Sequence, residues 1–323
     1  PTSVSTIFDN HVDIGRNPLP EIINFDEVYA FKSEKSKYVC VLLDFKKQIP
    51  VDVLPNRKKE YLLKYFQKIP LEERKKVKYA CSDMYEVYRD VVHKVFPSCC
   101  MLLDYFHLSQ DFHRKMNEVR IKVMKGYKDN KASDEYYLLK KFNWLLFKNP
   151  EDEDKYGRLF DVERERKYNS HFKSYMNYYD LRKKLLEINN DLTICYSLKL
   201  ELVDFYSKST IDNAKVNLEN LIRSCIDKNI DEMIAFSNNL INWKQEIINS
   251  FTIVGTEYKV EADKGQVVVC NKKVNNAIIE NRNKIIKCIK NNANGYTNWP
   301  RFRNRVMYVL DPNATFSLEP REK

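Results

Sequence analysis

Ile22-Ile-Asn-Phe-Asp-Glu-Val-Tyr-Ala-Phe31, Tyr38-Val-Cys-Val-Leu-Leu-Asp-Phe45 and Gln48-Ile-Pro-Val-Asp-Val-Leu54 are three apolar, β-prone runs separated by short polar turns. They predict three strands. Gaps this short permit only antiparallel neighbours, because parallel strands need a crossover of a dozen or more residues. From Lys58 to Ile69 the period changes, with Leu62, Leu63, Phe66 and Ile69 on one helical face. Val77-Lys-Tyr-Ala-Cys81 then predicts a short strand ending at Ser82-Asp83. Tyr85 to Phe96 predicts an amphipathic helix that Pro97 breaks, and Cys99-Cys-Met-Leu-Leu103 reads as a buried strand ending at Asp104. The order is β-β-β-α-β-α-β. A three-strand meander followed by α/β crossovers matches the ribonuclease H-like topology, an α/β fold with a mixed five-stranded sheet.

Beyond Leu108 the character changes. Residues 108–128, 134–148, 161–188, 192–208, 213–228 and 231–249 all carry a helical period rich in Lys, Glu, Leu and Ile. They predict a large all-α insertion, with the acidic stretch Asn149-Pro-Glu-Asp-Glu-Asp154 as a break. Residues 251–270 form a β-prone excursion around Gly255 and Gly265. A basic helix over 275–290, a Gly295-Tyr296 turn and an Arg-rich helix from Trp299 come last. The expected organisation is a linker over 1–20, the first part of the core over 21–108, a mostly helical insertion over 109–270 and the rest of the core over 271–323.

The 323 residues carry a formal net charge of +10, and residues 271–323 alone hold eleven Lys/Arg against four Asp/Glu. That surplus favours an anionic partner such as nucleic acid. No apolar run approaches the ~20 residues that span a bilayer, so no membrane is expected. With six glycines there is no P-loop and no dinucleotide fingerprint, so no nucleotide cofactor is expected. None of the eight cysteines forms a C-x-x-C pair, and they read as buried thiols of a reducing cytoplasm.

Three acids stand out. Asp26 lies within the first strand, Asp83 just past the fourth, and Glu280 in the otherwise basic helix Asn275–Lys290. In the expected sheet the first and fourth strands are neighbours, which would bring Asp26 and Asp83 to one edge. A carboxylate in an apolar strand is costly unless compensated, and a divalent cation compensates it. Two Mg²⁺ ions about 4 Å apart suit phosphodiester chemistry, with oxygen ligands from three acidic side chains. Spacing alone leaves other roles open. Asp26 would pair with Glu27 on a solvated strand, Asp83 would cap the helix from residue 85, and Glu280 would pair with Lys284 at i,i+4. Asp104, at the end of a buried strand, and His107 form a further feature. Each suits either an accessory role at the ligand-binding edge or capping and packing of the next helix.

These residues resemble the DDE-type transposases of the ISL-three insertion-sequence family. Asp26-Glu27 matches the family's Asp-Glu, and Asp83-Met84 with Tyr88 matches its Asp-Met and following Tyr. Asp104-Tyr-Phe-His107 matches Asp-Arg-Phe-His with Tyr105 in place of Arg. Glu280, Asn283-Lys-Ile-Ile-Lys287, Gly295-Tyr296 and Phe302-Arg-Asn-Arg305 follow the family's closing motifs, and Trp144-Leu-Leu146 recurs in the insertion. The likeness covers about residues 20–310. One departure is Asn276-Ala-Ile-Ile-Glu280-Asn281, where the family has Gly-Pro-Val-Glu-Gly.

The resemblance implies DNA nicking and strand transfer by Asp26, Asp83 and Glu280 as metal ligands. Two Mg²⁺ ions are expected, with Mn²⁺ able to substitute. It further implies double-stranded DNA as partner, a homodimer or higher assembly on paired ends, and a bacterial cytoplasmic, nucleoid-associated location. Lys284, Lys287, Lys290, Arg301, Arg303 and Arg305 are the expected DNA contacts. The family's zinc ribbon is not in this sequence, and Thr2 to Asn10 reads as the tail of a helix-turn-helix. The alternatives are a catalytically inactive, transposase-derived DNA-binding protein and a helical scaffold that binds no nucleic acid.

Overall fold

A computed structural model describes residues 2–31, 36–260 and 267–315. The chain divides into two compact units, residues 1–104 with 245–323, and residues 105–244.

The first unit begins with α1 (Thr2–His11). It continues through β1 (Ile22–Val28), β2 (Val39–Asp44), β3 (Pro50–Leu54), α2 (Lys59–Gln67), a single turn α3 (Leu71–Arg74), β4 (Tyr79–Ser82), α4 (Glu86–Val95) and β5 (Cys100–Leu103). The sheet order is β3-β2-β1-β4-β5. β1–β2 and β2–β3 pair antiparallel, and β1–β4 and β4–β5 pair parallel. This is the mixed sheet of the ribonuclease H-like fold.

The strands are apolar on both faces because helices cover both. Ile23, Phe25, Cys40, Leu42, Ala80 and Met101 pack with Leu62 and Phe66 of α2 and with Tyr88, Val91 and Val92 of α4. The opposite face presents Val28, Val39, Val41, Leu43 and Val53 to the last helices of the chain. Such two-sided burial explains why these strands read as continuous apolar runs rather than alternating ones.

The second unit holds α5 (Tyr105–Lys125), α6 (Asp134–Lys141), a 3₁₀ turn over Asn143–Phe147, and four short strands. These are β6 (Glu153–Asp154), β7 (Gly157–Arg158), β8 (Lys167–Asn169) and β9 (Ser174–Met176). Helices α7 (Tyr178–Glu187), α8 (Asn190–Lys208), α9 (Ala214–Asp227) and α10 (Asp231–Asn242) follow. Phe112 and Phe236 meet edge-on at 5.0 Å in its core.

The helix expected over 161–188 does not form in its first half. Residues 161–176 are turns and the β8–β9 hairpin instead. Side chains there satisfy the backbone in competition with a helix: Asp161 accepts from the Glu163 N–H, and Asn169 accepts from the His171 N–H. Lys173 adopts a left-handed φ of 50°. The helix starts only at α7, where Asn177 and Asp180 form a capping box.

The chain returns through α11 (Lys244–Asn249), the antiparallel pair β10 (Ile253–Val260) and β11 (Val267–Lys273), then α12 (Ala277–Asn292) and α13 (Trp299–Leu310). The β-prone excursion expected over 251–270 is thus one strand and the start of a second. Gly265, on which part of that expectation rests, lies outside the described residues. Among the described residues no helix is long and apolar enough to cross a membrane.

Candidate active site

Strand register sets the first feature of the site. The β1–β4 pairing ends with Asn24 opposite Cys81, and Asp26 and Asp83 each follow two residues further along their chains. In the β4–β5 pairing Ser82 stands opposite Leu103, so Asp83 comes level with Asp104. The Asp104 N–H donates to the Ser82 carbonyl at 3.1 Å, which continues the ladder to that point. Asp26 lies within β1, and Asp83 and Asp104 directly follow β4 and β5, so the three aspartates come from three adjacent parallel strands.

Alternation sets the face. Asn24, Asp26 and Val28 share one side of β1, and Val28 packs with Ile279 and Ile286 of α12. Asp26 is 8% exposed, so the solvated strand pair with Glu27 does not form. Glu27 takes the other side, paired with Arg57, whose guanidinium lies 4.6 Å from the rings of both Tyr38 and Tyr85. The α4 helix takes Tyr85 as its N-cap, not Asp83. One buried thiol registers the convergence of charge. Cys81 is pushed well above the usual cysteine pKa by burial, then by Asp104, Asp83 and Asp26 together.

Helix α12 brings the fourth carboxylate. Ile278, Ile279, Ile285, Ile286 and Ile289 form its apolar stripe against the sheet, and Asn294 and Gly295 turn the chain after it with φ of 52° and 98°. Its start is pinned by amides. The Asn24 side chain donates to the Asn276 side-chain oxygen at 2.7 Å and to the Asn275 carbonyl at 2.8 Å. The Asn276 N–H donates to Asp104 Oδ1 at 3.3 Å, and its side chain to the Phe25 carbonyl at 3.4 Å. Glu280 sits in the first turn, where the helix dipole favours a carboxylate. Oxygens of Glu280 and Asp104 lie within 4.8 Å of each other.

Asn283, one turn beyond Glu280, donates to Asp26 Oδ2 at 2.7 Å, and the Glu27 N–H donates to Asp26 Oδ1 at 2.7 Å. The acid helix is thereby tied to the acid strand. Asp26, Asp83 and Glu280 do not, as a threesome among the described residues, bring one oxygen each within 4.8 Å. Two ions about 4 Å apart do not require every carboxylate to share one ion.

The expected DNA contacts separate into two groups. Lys284 and Lys287 project from α12 into solvent, and Lys290 lies 4.7 Å from the Tyr29 ring. The α13 arginines bind their own chain. Arg301 grips the Asp9 carboxylate of α1, Arg303 pairs with buried Asp52 at 2.7 Å, and Arg305 lies over Phe8. His107 is in the first turn of α5, half-buried, in the second unit.

The sequence reading missed Asn24, Asn276 and Asn283. The available signal was a polar residue in an apolar pattern: Asn24 between Ile23 and Phe25, and Asn283 on the stripe of Ile279 and Ile286.

A family model of DDE transposases, the ISL-three group, matches residues 23–262. The chain belongs to this transposase family. The match takes in Asp26, Asp83, Asp104 and the second unit of the transposase, and it ends before Glu280. Neither the curated proteins nor the solved structures give a match. DNA is the partner that membership of a transposase family implies, and DNA binding, recombination and the mobility of an insertion sequence are its context. Asn281 stands where the family carries glycine, yet it lies inside a regular helix and is exposed. No positive φ is needed there, and Glu280 approaches Asp104 without the glycine.

Proposed function

We propose that this transposase cuts DNA strands and transfers them to a target, with Asp26, Asp83 and Glu280 as metal ligands and Asp104 beside them. The observation that carries this function is the gathering of three aspartates from adjacent strands around Cys81, beside α12, the helix that bears Glu280.

The residues fit Mg²⁺ or Mn²⁺. Every donor is a hard oxygen, the type these ions prefer. The side-chain oxygens of Asn24 and Asn283 are buried with no hydrogen-bond partner among the described residues. A buried amide oxygen in that condition suits a cation or its water shell. When bound, such ions supply positive charge at the attacking and leaving oxygens of the phosphodiester.

The chain's own part is positioning. Asn283 and the Glu27 N–H each hold one oxygen of Asp26 and fix its orientation. Asn24 and Asn276 fix the start of α12, and with it Glu280. Lys284 and Lys287 hold the DNA phosphates and set its register without reading sequence. Phosphoryl transfers depend chiefly on such positioning and charge stabilisation. Arg301 and Arg303 instead hold α1 and β3 to α13. A cytoplasmic location at the nucleoid, and a dimer or larger assembly on paired ends, belong to the same proposal.

The test is a nicking assay on DNA carrying the ends that flank the gene, with Mg²⁺ or Mn²⁺. The wild-type chain is expected to nick and Asp83→Asn to lose nicking. Equal nicking by the two would remove the acids from the chemistry.

A further inference from the structure

The second unit leaves three tyrosines in solvent within twenty residues of one another. Tyr156 is 67%, Tyr168 58% and Tyr175 68% exposed. Tyrosine carries a large apolar ring that folding ordinarily covers at least in part. Tyr168 and Tyr175 brace each other edge-on across the β8–β9 hairpin, with ring centres 5.5 Å apart. Tyr156 sits on the β6–β7 hairpin and gathers cations: Lys155 at 4.8 Å, Lys167 at 5.8 Å and Arg164 at 6.0 Å from its ring.

Between these hairpins and the facing ends of α6 and α7 lies a cavity of about 310 Å³. Its walls include the rings of Tyr137, Phe142, Tyr156, Tyr168 and Tyr178, and its polar groups include Arg164, Lys167, Asp154 and Glu165. Asp154 is held below the usual carboxylate range by Arg164, which it meets at 2.6 Å. The charged lining is mixed, with Lys141, Arg164 and Lys167 beside Asp154 and Glu165. A neutral planar ring would meet aromatic faces, and Glu165 would accept from an exocyclic amino group. The neighbouring lysines suit the phosphates on either side of such a ring.

We propose that this cavity takes one unpaired nucleobase of the DNA, stacked on Tyr156 and Tyr168, with Lys155 and Lys167 on the flanking phosphates. Aromatic stacking combined with cations on the backbone is the general means by which unpaired DNA is held. The inference rests on DNA being the partner of the transposase, and not on the metal site.

The test compares two short duplexes in EDTA, one fully paired and one ending in an unpaired 2-aminopurine flap. Binding is read by fluorescence polarisation and stacking by 2-aminopurine quenching. Wild type is expected to bind the flapped duplex about tenfold more tightly, the worth of one stacked base, and to quench it. Both readings are taken without metal, so neither depends on nicking by the acids of the first unit. The double variant Tyr156→Leu/Tyr168→Leu should lose the preference while keeping its affinity for the paired duplex. Tyr156→Trp should keep the preference, since it retains an aromatic face. Equal affinity of wild type for the two duplexes, or an undiminished preference in the double leucine variant, would overturn the proposal. So would displacement of the flap by micromolar dAMP, which would make the cavity a mononucleotide site.

Discussion

Asp26 in the first unit and Lys199 in the second are both charged side chains taken out of water, yet their surroundings differ in kind. Asp26 accepts from the Asn283 amide and the Glu27 N–H, so its partners are donors that suit an anion. Lys199 is 1% exposed and donates to the carbonyls of Leu146 and Lys148. Those carbonyls satisfy its N–H groups without opposing its charge. Burial therefore dominates, and the Lys199 pKa falls to about 7. Lys199 ties down the end of the 3₁₀ turn. The acids of the first unit come instead from adjacent strands and gather around Cys81, an arrangement that a cation would relieve. Buried charge alone does not mark a site; the type of partner around it does.

Four variants test this contrast, in falling order of effect. Arg303→Ala strips the cation from Asp52, which is 4% exposed. It should cost about 3 kcal/mol of stability in urea unfolding, the penalty for leaving a buried charge unpaired. An unchanged midpoint would mean that Asp52 finds its compensation elsewhere. Asn283→Leu keeps the bulk on the α12 stripe but removes the donor to Asp26. Metal-dependent nicking should fall by about 10- to 100-fold, the usual effect of losing a hydrogen bond that orients a metal ligand. Full activity would reduce Asn283 to a packing residue.

Lys284→Ala/Lys287→Ala should leave stability untouched and weaken DNA binding about tenfold. The slope of log affinity against log salt should lessen by about 1 for each lysine. A slope equal to that of wild type would move the DNA track off α12. Lys199→Met tests the second unit. The folded pKa of Lys199 lies below its ordinary value of 10.5, so the unfolded chain binds more protons between about pH 7 and 10.5. Wild-type stability relative to Lys199→Met should therefore rise through that window by about 1 kcal/mol per pH unit, and flatten below pH 7. A flat difference between pH 7 and 9 would mean that Lys199 stays charged.

Much of this was legible in the chain. The runs from Ile22 to Leu54 are apolar on both faces, so their strands needed no partner to be recognised. Asp26, Asp83 and Asp104 were visible because each interrupts or ends such a run. The α13 arginines were harder. Their partners Asp9 and Asp52 lie 292 and 251 residues away in sequence, and no local pattern separates an arginine that pairs inward from one that faces DNA. The hairpins at 153–176 were hidden for a different reason. Their strands are only two or three residues long and are set by side-chain to backbone hydrogen bonds in the turns, which leave no period to read.

The central claim is that acids from β1, from the end of β4 and from α12 form one metal site. Titration of the full chain with Mn²⁺, counting free ion by electron paramagnetic resonance, tests it most directly. Wild type should take up Mn²⁺, and Asp26→Asn, Asp83→Asn and Glu280→Gln should each lose most of that uptake. Uptake equal to wild type in all three variants would contradict the claim.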